Sequence, residues 1–81
     1  MTDTTGGSLL QTAFEATELT LLEFWLRYFA LGGNASIGEV GGFLAEHSTP
    51  TQQEHNVLAL TLNERFMDMG LDSPVPYQET T

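Results

Sequence analysis

The chain has 81 residues and a mass of 8.9 kDa, which is room for one small domain. Eleven Asp and Glu stand against two Arg and no Lys, a formal charge of −9, and there is no Cys. Disulfides, thiolate nucleophiles and cysteine zinc sites are thereby excluded, and with only Arg27 and Arg65 available no basic patch can form to attract nucleic acid or an anionic membrane.

Residues 1–7 are Thr, Asp and Gly after the initial Met, with nothing to bury, and read as a disordered tail. The first eight residues carry no positive charge, so no secretory signal is expected. Ser8 with Gln11 makes a weak capping box over Leu9, Leu10, Ala13 and Phe14. That segment is either a short N-terminal helix or the lead-in to the next one.

A long helix is predicted over 17–31, with Thr17 as its cap, Glu18 at the positive end of its dipole and Gly32-Gly33 as its stop. At ~100° per residue, Thr20, Glu23, Arg27 and Ala30 fall on one narrow stripe. Leu19, Leu21, Leu22, Phe24, Trp25, Leu26, Tyr28, Phe29 and Leu31 occupy the rest. An ordinary surface helix needs an apolar face little wider than ~100°. This one is apolar over most of its circumference, so it is either central in the fold or shared between two chains. The apolar run from Leu19 to Leu31 is shorter than the ~20 residues a membrane span needs.

A second helix is predicted over 37–47, opened by a Ser36–Glu39 capping box. Ile37, Val40 and Leu44 make its apolar stripe, flanked by Phe43. Gly38, Gly42 and Ala45 make a stripe of small residues that would let another backbone come close. Interior Gly costs ~1 kcal/mol against Ala, so Gly38, Gly41 and Gly42 make this the weak helix.

A third helix is predicted over 50–69, capped by Thr49 with Pro50 following, or by Thr51 with Glu54 three residues on. Leu58, Ala59, Leu62, Phe66 and Met69 share its inner face, and Glu54, Thr61, Glu64, Arg65 and Asp68 the outer one. Leu60 and Met67 form a minor stripe with Asn56 and Asn63. Gly70 ends the helix, with Leu71 placed for the hydrophobic contact that follows. Residues 72–81, with Pro74 and Pro76, are expected to be an extended tail whose Tyr77 folds back on the helices.

The run Gly70-Leu71-Asp72-Ser73 in so acidic a chain resembles the acyl carrier proteins, whose serine carries phosphopantetheine and opens a long helix. Here Pro74, Val75 and Pro76 follow, leaving no room for that helix, so the run reads as a solvated turn. Residues 35–69 have the outline of a helix-turn-helix, with Gln52, Gln53 and Asn56 at the start of the second helix. Nothing nearby neutralises phosphates, which carry most non-specific DNA affinity. His47 and His55 each have an adjacent Glu, but adjacent side chains diverge on a helix and make no ligand pair. Glu64, Asp68 and Asp72 follow at four-residue spacing as an acidic strip, either solvated or suited to a basic protein. No carboxylate or Ser has an orienting base, so no catalytic site is expected.

Together these features predict an all-α, single-domain protein of three main helices over 8–71, with a short N-terminal helix as an option. The expected function is a non-enzymatic interaction or regulatory module without cofactor or metal. It would act as a homodimer or with another protein, through Leu21, Trp25, Tyr28, Phe29, Leu60 and Met67 and the acids Glu64 and Asp68. The alternative is a helix-turn-helix transcriptional regulator. A cytoplasmic location is the expectation, with neither membrane nor nucleic acid as partner. The absence of Lys is associated with a high-GC bacterial genome.

Overall fold

Capping chemistry decides where the helices begin. The computed structural model describes residues 6–71 and residue 75, in the order α1 Gly6–Thr17, α2 Leu21–Ala30, α3 Ile37–Leu44 and α4 Gln52–Asp68. No strand occurs among the described residues. The caps of α2, α3 and α4 are Thr20, Ser36 and Thr51, and each side-chain oxygen accepts the backbone N–H of a Glu three residues on. Glu23, Glu39 and Glu54 return the bond by accepting the cap residue's own N–H at 2.8–2.9 Å. Two otherwise orphaned donors are satisfied at each helix start.

The same three helices end alike. The N–H groups of Gly33, His47 and Leu71 reach back to the carbonyls of Tyr28, Gly42 and Phe66 at 2.8–3.0 Å. Gly32, Glu46 and Gly70 take the left-handed conformation in between. Leu71, placed for the hydrophobic contact that follows a helix end, is 53% exposed.

Three boundaries differ from those read from the sequence. The helix expected over 17–31 is broken at residues 18–20, and the fold has four helices rather than three and an option. Thr17 is no cap: it is buried at the end of α1, and its hydroxyl donates to Phe14 O at 2.6 Å. Glu18 then turns left-handed, with φ of 62°. A Thr20–Glu23 box supplies two reciprocal bonds where Thr17 has no acid three residues on, and the stronger cap sets the start. Helix α1 reaches back to Gly6, so residues 6 and 7 are helical and not tail. Helix α3 stops at Leu44, short of His47. The expectations for residues 1–5, for Asp72, Ser73 and Pro74, and for 76–81 with Tyr77, lie outside the described residues.

Helices α1 and α2 each pack across both α3 and α4, while the backbones of α1 and α2 stay apart, as do those of α3 and α4. The rings of Phe14 and Phe24 bridge α1 and α2 edge to face, 5.5 Å between centroids. The core holds Leu10 and Ala13 of α1, Phe24 and Tyr28 of α2, Val40, Phe43 and Leu44 of α3, and Leu58, Ala59, Leu62 and Phe66 of α4. Val75 joins it from beyond α4, so the packed unit extends past residue 71.

The α2–α3 corner is fixed by the backbone of one residue, Ala35. The Ala35 N–H donates to the Tyr28 hydroxyl at 3.0 Å, and the Trp25 indole N–H donates to the Ala35 carbonyl at 3.0 Å. Gly33 lies against the Tyr28 ring so closely that a Cβ there would fall on the ring carbons. The small stripe of α3 has no such neighbour. A Cβ on Gly38 would meet only Ser36 Oγ at 4.0 Å, one on Gly42 only Ser48 Oγ at 3.1 Å, and Ala45 is exposed. Among the described residues no backbone outside α3 comes within 4 Å of a Cβ at Gly38 or Gly42, contrary to the reading from spacing.

Two sets of substitutions follow. Phe24→Ala should cost ~3–5 kcal/mol, as for other buried aromatics. Phe29→Ala, at a ring 60% exposed, should stay within about 1 kcal/mol. Chemical denaturation that ranked Phe29 with Phe24 would contradict the orientation of α2. Gly33→Ala should lower the melting temperature sharply, because the methyl displaces Tyr28 from its bond to Ala35. Gly38→Ala should raise it, by ~0.5–1 kcal/mol of helix propensity. Gly42→Ala should be neutral or stabilising, because the exposed Ser48 hydroxyl can rotate away.

Candidate protein-interaction surface

With Phe24 and Tyr28 fully buried, the opposite side of α2 faces outward. It is not polar. Leu22, Leu26 and Phe29 are 55%, 53% and 60% exposed and follow one another at i, i+4 and i+7, a straight line along two turns. Trp25 borders the line half-buried, its ring stacked on that of Phe29 with centroids 5.4 Å apart. Through the Trp25–Ala35 bond the surface runs on to the start of α3, where Ile37 is exposed. Full burial of a Leu or Phe is worth ~1.5–3 kcal/mol, so three half-exposed side chains leave roughly 3–5 kcal/mol of burial unrealised.

The remaining residues expected at a partner surface are dispersed. Tyr28 is fully buried and engaged with Ala35, so its ring is not at the surface. Leu21 is half-buried beside Gly41, away from the Leu22–Phe29 line. Leu60 is half-buried and Met67 exposed on α4, and Leu71 is exposed just beyond its end. Glu64 is exposed, but Asp68 is not a free acid: it pairs with Arg27 of α2 at 3.1 Å. Arg27 thus reaches across to α4, while the Glu23 carboxylate on its own helix is engaged at the Thr20 N–H.

Arg65 donates through Nε to the Thr17 carbonyl at 3.0 Å, at the C-terminal end of α1, where a cation suits the helix dipole. Both arginines thus hold α4 to its neighbours. The helix-turn-helix outline does not close on itself, since α3 and α4 pack on α1 and α2 and not on each other.

Two buried polar residues of α4 escaped the sequence reading. Thr61, placed on the outer face by its wheel position, is buried and donates to Val57 O at 2.8 Å. Asn63 is buried and bonds both polar groups of Val75: its amide donates to Val75 O at 2.8 Å and its carbonyl accepts Val75 N–H at 3.1 Å. An Asn among Leu, Ala and Phe was the signal, because a buried amide needs partners for both its ends.

The clefts between helices among the described residues are small. One of about 210 Å³ lies among Phe14, Leu21, Gly41 and Leu44, and one of about 160 Å³ among Arg27, Leu31, Thr61 and Glu64. Both fall below the ~300 Å³ at which ligand pockets begin. Among the described residues no three His, Asp or Glu side chains are grouped to hold a metal, and no helix is long and apolar enough to cross a membrane. Comparison with protein-family models, curated proteins and solved structures finds no match to this chain.

The polar ties differ in what they should contribute. Asn63→Leu leaves the buried Val75 N–H and C=O without partners and should cost ~2–4 kcal/mol in urea unfolding. Asp68→Asn breaks an exposed pair and should cost under ~1 kcal/mol, less in high salt. Equal effects would mean that the Asn63 bonds are dispensable.

Proposed function

We propose that this chain is a small non-enzymatic module that docks onto protein through the outward face of α2. The observation that carries the reading is the unbroken line Leu22, Leu26, Phe29 on a helix whose opposite side already fills the core. Ordinary surfaces carry single exposed apolar residues, and contiguous ones mark contact sites. The occupant is a second copy, as a homodimer, or a different chain. A matching apolar face on the partner brings the burial to roughly 6–10 kcal/mol, close to the ~4–15 kcal/mol cost of association. Apolar contact alone therefore gives a weak complex, as suits a regulatory contact.

Regulation by direct DNA contact finds less support. Both arginines are engaged inside the fold, and the acids remain to repel phosphate.

The test is a triple variant, Leu22→Ser with Leu26→Ser and Phe29→Ser. All three side chains are exposed, so helical content and melting should change little. Light scattering of the pure protein and affinity capture from the source cells should register an assembly for the native chain that the variant lacks. Identical behaviour of the two proteins in both measurements would overturn the reading.

A further inference from the structure

We propose that the occupant of the α2 face is a cationic amphipathic helix from a different protein, and not a second copy of this chain. The inference rests on α2 being a docking face and goes on to name its partner.

The argument is charge. Among the described residues the apolar line is bordered by acids and by no available arginine. On one side Glu23 lies on the same outward sector as Leu26, its carboxylate held at the Thr20 N–H. On the other side the Glu39 carboxylate sits on the Ser36 N–H, the other end of the peptide group whose Ala35 carbonyl holds Trp25. Both carboxylates are pinned by capping bonds, so their positions are set in advance. Arg27, the cation nearest the face, is paired with Asp68, and Arg65 is bound to the Thr17 carbonyl.

A second copy would bring more of the same sign. Beyond the apolar line it would set acid against acid, with a formal charge of −9 on each side. It would supply no attraction to carry a contact whose apolar part is marginal. A helix with an apolar stripe flanked by Lys or Arg supplies both terms. Its stripe covers Leu22, Leu26, Phe29 and the Trp25 edge, and its cations meet Glu23 and Glu39. Helix-in-face recognition of this kind uses anchors at i, i+4 and i+7, the spacing that α2 presents. Opposite charge also speeds encounter and rejects other acidic chains.

Trp25 is the only Trp in the chain and borders the face, so it reports occupancy directly. The probe is a synthetic helix of about 18 residues, five turns at ~3.6 residues each, with Leu on one side and Lys on the other. A control peptide carries Glu in place of Lys.

The Lys peptide should shift Trp25 emission and saturate at one per chain. Binding should weaken about tenfold or more between about 0.05 and 0.5 M salt, and the Glu peptide should not bind. Two variants separate the terms. The Leu22, Leu26, Phe29 triple Ser variant keeps every charge and should lose about tenfold or more in affinity. Glu23→Gln with Glu39→Gln keeps a capping acceptor at both helix starts, so melting should hold while affinity falls several-fold.

No binding of the Lys peptide would overturn the proposal. So would binding indifferent to the triple variant, which would be attraction to net charge alone. A dimer that tightens with added salt and shifts Trp25 without peptide would overturn the cationic partner but keep α2 as a docking face. A larger Trp25 shift with phosphatidylcholine vesicles than with the peptide would assign the face to a membrane surface. If the triple variant changes none of these, the docking reading itself falls.

Discussion

The backbone of Ala35 is the joint on which α2 hangs. Its N–H goes to Tyr28 and its carbonyl to Trp25, so two side chains three residues apart on one helix grip the two consecutive peptide groups that flank one residue of the next segment. This fixes the rotation of α2 about its axis. Tyr28 and Phe24 turn inward together, and Leu22, Leu26 and Phe29, half a turn away, have no inward position left. Gly33 is part of the same joint, because only a residue without Cβ lets the loop pass under the Tyr28 ring. The exposed apolar line is thus a consequence of how the corner is made, and not a lapse in an otherwise sealed core.

Charge follows a similar logic. Three acids act as capping acceptors, one acid pairs with Arg27, and the two arginines hold α4 to α2 and α1. A chain with so few cations uses both for internal ties. The field around the molecule is therefore left negative, whatever its detailed shape. The polar groups that matter for the fold are mostly bonded to backbone, including the Asn63 amide that takes the place of a strand neighbour for Val75. None of the described buried side-chain polar atoms lacks a partner.

Much of this was legible in the sequence, and the failures have physical causes. The Ser36–Glu39 and Thr51–Glu54 boxes were readable because a hydroxyl and an acid three apart identify a helix start without tertiary knowledge. Thr20 and Glu23 carry the same mark. They were passed over because the apolar run around them favoured one long helix from Thr17, and periodicity continues smoothly across a break that costs only three residues. The inner face of α4 was readable from Leu58, Ala59, Leu62 and Phe66, but its outer face was not: α4 packs on both α1 and α2, and a wheel assumes one buried side. That α2 is more apolar than a surface helix requires was plain from composition. Which of its aromatics turn inward was not, since hydropathy favours burying Phe over Tyr, yet Tyr28 is buried and Phe29 exposed. The distinction lies in two polar atoms, an indole N–H and a phenol oxygen, finding the carbonyl and the N–H of the same residue, Ala35.

The acidity and the apolar line also depend on each other. A small domain with three half-exposed large side chains in a row is at risk of sticking to its own kind. A charge of −9 with no free arginine opposes that at long range, most strongly at low salt, where the Debye length is ~30 Å at 0.01 M against ~8 Å at physiological strength. The same field draws cationic chains toward the surface whose line they can cover. Net charge thereby discriminates between two classes of partner that the apolar contact alone could not tell apart, because Leu and Phe pack equally well against either. The capping boxes of α2 and α3 serve both levels at once: Glu23 and Glu39 start the helices that carry the face, and they stand as fixed charges at its edges.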